Sequence, residues 1–263
     1  MNIIVCMKQV PDTAARIKIG SDGRDIDRSD LSYVVNPYDE YAVEEAIRIK
    51  EKVGGEVVVL CMGPERATEA IRTCLAMGAD RGIHLKDEAF EGSDPYVTAK
   101  LLAKAVSGME YDLILCGKQA VDDNASFVGP ALAERLGIPQ ATVITNLELA
   151  EDQKKITVER ETEGGKEVLE LPLPALVTAQ KGLNEPRYAS LPGIMKAKKK
   201  EIKVVDAAAL GISPDEVGEK GAREKILALT LPPERQAGKV IPGEPAEAVR
   251  ELVKLLKEEA KAL

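Results

Sequence analysis

Short apolar runs that alternate with helical stretches constrain this chain more than any other feature. Ile3–Met7, Glu56–Met62, Arg81–Leu85 and Asp112–Cys116 each read as a strand. Glu56–Met62, with its run of valines, has the signature of a strand buried on both faces. Between these runs lie helical stretches. One runs from Tyr38 to Lys52, with Tyr38, Tyr41, Ala42, Ala46 and Ile49 on one stripe and Gly54-Gly55 as its stop. Another runs from Gly63-Pro64 through Met77, turning Ala67, Ile71, Cys74 and Leu75 inward, and a third from Asp94-Pro95 to Val106. Strand and helix alternating every ~25–30 residues predict right-handed β-α-β units, hence an α/β fold with a Rossmann-like parallel sheet.

Ligands of such sheets sit beyond the carboxyl ends of the strands. Here those ends are the loops Lys8–Thr13, Met62-Gly63-Pro64 and Gly117–Ser126, which Asn36-Pro37 is placed to join. The third loop leads into a helix opening near Asn124–Ser126, in which Phe127, Val128, Leu132, Ala133 and Leu136 recur at helical spacing. The start of a helix carries unpaired N–H groups and the positive end of the peptide dipole, so a phosphate is the expected guest. The bland alternative is that Gly117 and Gly129 only shape a strand-to-helix turn. Four loops converging on one crevice favour the nucleotide site.

Several functions are disfavoured. No G-x-G-x-x-G follows a strand, and neither G-x-x-x-x-G-K-[ST] nor G-x-S-x-G occurs. Asp122-Asp123 suits ribose hydroxyls or a metal, although adjacent acids in a loop are more often turn formers. Cys6, Cys61, Cys74 and Cys116 lie far apart, three of them in strand-like runs, and read as core residues. The single His84 has no ligand cluster beside it and reads as structural. A net charge of -8 argues against nucleic-acid binding, and 3% aromatics argue against a self-contained flavin sandwich. No apolar run approaches a membrane span, and MNIIVCMKQV lacks the basic start of a signal peptide, so the expectation is a cytoplasmic protein. No nucleophile, base or metal set marks a stand-alone catalyst.

From Ala141 the pattern changes. Thr142–Leu149, Lys155–Arg160 and Val168–Leu171 read as an antiparallel meander that ends in the apolar strand Ala175–Thr178. Gln180–Lys200 has two prolines and a basic close, which composition alone makes a solvated loop. Ile202–Val205 reads as a short strand and Asp206–Ile212 as a turn of helix. Ile226–Gly243 is extended and proline-punctuated, and Pro245–Leu263 is a final helix with Val249, Leu252, Val253 and Leu256 on a narrow stripe. Such an arm and helix need another surface, either a partner chain or this domain itself. The expected division is an α/β nucleotide-binding domain over 1–183, then a loop, arm and helix over 184–263.

The stretch LNEPRYASLPGIMKAKKK within Gln180–Lys200 closely resembles the signature of the electron transfer flavoprotein beta subunit. The similarity extends to VVNPYDEYAVEEAIRIKE (Val34–Glu51), IRTCLAMGADRGIH (Ile71–His84) and GKQAVDD (Gly117–Asp123), in that order. The resemblance implies a chain that binds AMP and pairs with an alpha subunit. The alpha subunit's FAD carries electrons from acyl-CoA-type dehydrogenases towards a quinone-linked oxidoreductase. Adenine and ribose contacts would then involve Cys6, Asn36, Met62 and Ala120. The phosphate would rest on Asp122, Asp123, Ser126, Phe127 and Val128, largely through backbone N–H groups. The recognition loop for dehydrogenases maps onto Pro186–Lys200. Leu191 would be its apolar anchor beside Ile194 and Met195, with Lys196, Lys198, Lys199 and Lys200 steering the partner.

Many AMP-binding members carry Asn-Gln-Thr-Gly where this chain has Ser126-Phe127-Val128-Gly129, which removes a hydroxyl donor. Electron-bifurcating relatives, which hold a second FAD in that place and oxidise NADH, tend to carry Val-Gly-Pro, as Val128-Gly129-Pro130 does. Their Lys-Gln-Val-Pro-Asp-Thr loop also matches Lys8–Thr13. They usually have Gly-Asp-Thr in place of Asp123-Asn124-Ala125, however, and lack the Leu-Asn-Glu-Pro-Arg-Tyr form. The balance favours AMP. A reading from another class, an adenylate-processing enzyme or nucleotide sensor, would call for a Ser-Gly-Gly loop where this chain has Lys8-Gln9-Val10-Pro11.

Overall fold

The computed structural model describes residues 1–233 and 238–263. Its first half alternates as the apolar runs dictate. In order come β1 (Asn2–Cys6), β2 (Gln9–Pro11), β3 (Tyr33–Val35), α1 (Pro37–Val53), β4 (Glu56–Met62), α2 (Ala67–Met77), β5 (Arg81–Leu85), α3 (Pro95–Val106), β6 (Leu113–Gly117) and α4 (Val128–Leu136). The second half holds β7 (Gln140–Leu149), β8 (Lys155–Thr162), β9 (Gly165–Pro172), β10 (Ala175–Ala179), α5 (Leu191–Ala197), β11 (Ile202–Val205), α6 (Ala207–Leu210), α7 (Gly218–Gly221) and α8 (Pro245–Glu258).

Among the described residues, nine of these strands form one sheet in the order β11-β5-β4-β1-β6-β10-β7-β8-β9, parallel from β11 through β7, and β2 and β3 pair separately. β8 and β9 extend it antiparallel. Alternate residues of the central strands feed two cores. Ile3, Val5, Val57, Val59, Leu113 and Leu115 pack against α1 and α2, while Ile4, Val58, Leu60 and Ile114 pack against α3 and α4. Burial on both faces is why these strands read as unbroken apolar runs. The caps follow the sequence. Asp94 accepts the Val97 N–H at 2.8 Å to open α3, and Gly54 and Gly78 close α1 and α2 with positive φ.

Three expectations need correction. The meander does not end in Ala175–Thr178. β10 is parallel to both neighbours and inserted between β6 and β7, as suits a strand whose five residues are all buried. Lys8–Thr13 is not wholly a loop, because Gln9–Pro11 forms β2 and pairs antiparallel with β3. Gln180–Lys200 is not wholly a loop, since α5 occupies Leu191–Ala197.

The last helix is shorter than expected, Pro245–Glu258, and its stripe residues Val249, Leu252 and Val253 are exposed. Within the expected extended arm Ile226–Gly243, residues 234–237 lie outside the described residues. Among the described residues no helix is long and apolar enough to cross a membrane. The four cysteines are buried and free. His84 is wholly buried, its Nε2 2.8 Å from the Gly63 carbonyl.

Candidate functional site

β1 is flanked by β4 on one side and β6 on the other, so the chain's crossovers depart in opposite directions from it. A crevice opens at such a switch point, outside the carboxyl ends of the strands. Here it is a cavity of about 210 Å³ that opens to solvent. The ends of β1, β4 and β6 supply Cys6, Met62, Cys116 and Gly117 to its wall. Asn36 and the segment from Lys118 through Gly129 supply most of the remainder.

Two side chains near the start of α1 shape the loop above this cavity. Asn36 does not cap α1; its amide donates to the Gln119 carbonyl at 2.9 Å and accepts the Val121 N–H at 3.1 Å. Asp39 accepts the Lys8 N–H at 2.7 Å and the Gly117 N–H at 2.9 Å, tying together the ends of β1 and β6. Burial pushes its carboxyl up to about 7, against the lowering effect of those N–H donors. Gly117 is required here, because a Cβ would collide with Asp39 Oδ1 and the Asp39 amide.

Across the mouth, Lys8 Nζ donates to Asp122 Oδ1 at 2.8 Å and to Asp123 Oδ2 at 3.0 Å. Partial burial disfavours its charge, but the two carboxylates outweigh that and hold the ammonium above its ordinary value.

The start of α4 is the chemically open part of the wall. Its flanking residue Phe127 is helical and offers no side-chain cap. Among the described residues, the N–H groups of Phe127, Val128 and Gly129 have no intrachain acceptor. Pro130 has no N–H to offer. Asn124 and Ser126 adopt φ of 52° and 51°, which turns the chain sharply into this helix. Gly129 lets α4 pack close to the sheet, since a Cβ would lie 2.7 Å from Thr178 Cγ2. Unpaired amides at a helix start, aimed at a cavity, can accept an anion.

A second feature lies over α1 and α2. Asn184 donates to the Tyr41 carbonyl at 3.0 Å and to Glu45 Oε2 at 2.9 Å. Arg187 forks onto Glu44 at 2.8 and 3.0 Å and also reaches Glu51, and these two acids hold its guanidinium well above its usual range. Beyond this anchor α5 packs on α2 through Gly193, where a Cβ would collide with the Ala76 carbonyl. Arg72 donates to the Ala197 and Lys200 carbonyls at the end of α5. The result is an exposed apolar tip, with Tyr188 at 98%, Leu191 at 79%, Met195 at 71% and Ile194 at 43% exposure. Lys196, Lys198 and Lys199 are exposed beside it. Lys200 is not, because its ammonium donates to the Leu75 carbonyl at 3.0 Å and to that of Ala79 at the end of α2. Its charge complements the negative end of that helix and is withdrawn from steering.

The nine residues expected at the nucleotide are therefore gathered with one exception. Cys6, Asn36, Met62, Ala120, Asp123, Ser126, Phe127 and Val128 all line the cavity, whereas Asp122 is off its wall and paired with Lys8. Sequence reasoning missed Lys8 and Asp39. An acid in a first helical turn reads as dipole compensation, and nothing local marks a lysine whose partners lie 114 and 115 residues away.

The chain matches the family model described as electron transfer flavoprotein domain over residues 25–210. The electron transfer flavoprotein subunit beta of Thermoanaerobacterium thermosaccharolyticum is 46% identical over 257 residues, which cover 97% of this chain and 98% of that protein. The subunit of the same name from Bacillus subtilis is 43% identical over 270 residues, spanning 100% of both chains. That of Bos taurus is 42% identical over 261 residues, 98% of this chain and 97% of its own. With the parallel sheet and the crevice at its switch point in view, these matches place the chain in the electron transfer flavoprotein family, among its beta subunits.

Proposed function

We propose that this beta subunit holds an AMP in the cavity at the ends of β1, β4 and β6 and joins an alpha subunit whose FAD carries the electrons. The observation that carries the reading is the set of unpartnered main-chain donors at Phe127, Val128 and Gly129, opening into a cavity at the sheet's switch point. The residues present fit an adenylate. The α4 amides would take the phosphate, and Cys6, Met62 and Ala120 offer apolar wall and backbone for the adenine. Asn36 would keep the loop 119–121 in place over the nucleotide.

Electron exchange is supplied by the FAD of the alpha subunit, which accounts for the expected lack of an acid–base set in this chain. The tip formed by Leu191, Ile194 and Met195 with Lys196, Lys198 and Lys199 would dock acyl-CoA-type dehydrogenases, an apolar contact within a basic rim. Such contacts are weak and exchange quickly. A quinone-linked oxidoreductase would receive the electrons.

A second reading puts FAD in the same cavity, as in electron-bifurcating relatives. It draws on Val128-Gly129-Pro130, in which the proline removes one donor from the helix start. Extraction and chromatography of the nucleotides of the purified heterodimer separate the two. One AMP and one FAD per heterodimer support the first reading. Two FAD and no AMP establish the second.

A further inference from the structure

Lys8 is fixed at both main-chain groups: its N–H bonds Asp39 Oδ2 at 2.7 Å and its carbonyl accepts the Asn36 N–H at 2.9 Å. From that fixed base its side chain crosses to the loop after β6 and meets two adjacent carboxylates, Asp122 and Asp123. Lys8 and Asp123 line the same cavity as the α4 start. The carboxylate pair is therefore an electrostatic obstacle. Two negative charges beside an anion site repel a phosphate, and in a partly desolvated cleft that repulsion is stronger than in water. As a structural staple the contact is worth little, since the side chains of Lys8, Asp122 and Asp123 are 43%, 30% and 41% exposed.

We propose that Lys8 is a specificity-determining residue of this cavity. Its ammonium offsets the Asp122–Asp123 pair and so lets the mouth accept a phosphorylated nucleoside in preference to the bare one. The proposal rests on the adenylate reading above and deepens it. Asp122 and Asp123 do not hold the phosphate; they hold Lys8, and Lys8 halves the negative charge that the phosphate meets. A lysine suits this task because a compact ammonium serves both acids at once, without the planar fork that an arginine would commit to one of them.

The test is calorimetric titration of AMP and of adenosine into the heterodimer stripped of nucleotide. The variants are Lys8→Gln, Asp122→Asn with Asp123→Asn, and the triple combination. Lys8→Gln should weaken AMP roughly tenfold, the effect of one partly screened charge, and leave adenosine within about twofold. The triple variant should restore AMP to at least the parental affinity, because the repulsion leaves with the acids. Equal losses for AMP and adenosine in Lys8→Gln, or a triple variant as weak as Lys8→Gln, would make the contact a loop staple and overturn the proposal. A parental heterodimer that binds neither compound would instead overturn the adenylate reading, and this inference with it.

Discussion

Replacing Arg187 with methionine removes the cation that fastens the 180–200 segment to α1. The guanidinium forks onto Glu44 at 2.8 and 3.0 Å, and the Glu44 side chain is only 6% exposed. Without Arg187 the nearest cation to Glu44 is Arg48, at 4.0 Å and half-exposed. Removing one partner of a buried pair costs about 3–5 kcal/mol, because the remaining charge is stranded. Arg187 is itself 33% exposed, so solvent trims the loss to roughly 2–3 kcal/mol. For a chain of this size that corresponds to a fall in melting temperature of roughly 4–12 °C. Circular dichroism melts of the purified chain, parental against Arg187→Met, read the shift. The double variant with Glu44→Gln should recover more than half of it, since the stranded charge is gone. Arg187→Met melting within about 1 °C of the parent would refute the reasoning and make the fork incidental.

The remaining predictions concern the cavity and the tip. Asn36→Ala frees the loop 119–121 and should weaken AMP binding by the heterodimer roughly tenfold, about the loss expected for two hydrogen bonds; calorimetry that finds the parental affinity counts against the role given to Asn36. Leu191→Ala should slow electron acceptance from a dehydrogenase while the bound nucleotide stays in place, and parental rates in a stopped-flow flavin assay would remove the tip from docking. Asp39 has its pKa raised from 3.8 to about 7 in the folded chain, so the fold retains a proton that the unfolded chain releases. Its contribution to stability is therefore complete below about 3.8 and is lost as pH rises through about 7, by roughly 4 kcal/mol at most. Urea unfolding across that window should show the downward slope in the parent and a flatter line in Asp39→Asn; equal slopes would contradict it.

The first half of the fold was legible because strands buried on both faces leave continuous apolar runs, and Gly54-Gly55, Gly78 and Asp94-Pro95 punctuate them. The crevice was legible for a related reason: once the sheet is parallel, the loops after Cys6, Met62 and Gly117 must meet at one edge. β10 was misread because Ala175–Ala179 has the same local pattern whether it closes a meander or inserts between β6 and β7. α5 was hidden for a different reason. Its seven residues carry little intrinsic stability, and it exists because Gly193 allows contact with α2 and Arg72 satisfies its last carbonyl, that of Ala197. Lys200 looked like one more charge in a basic run, and only the position of the α2 terminus turns it inward. Asp39 and Lys8 act through partners distant in sequence, which no local period records.

The central claim is that main-chain donors at the start of α4 grip a phosphate at the mouth of the parallel sheet. Hydrogen–deuterium exchange of the nucleotide-free heterodimer, with and without AMP, tests it at the amides concerned. The account predicts slowed exchange confined to the segment from Asn124 to Ala131 and to the loop held by Asn36. Unchanged exchange at Phe127, Val128 and Gly129, with protection mapping to another part of the chain, would contradict it.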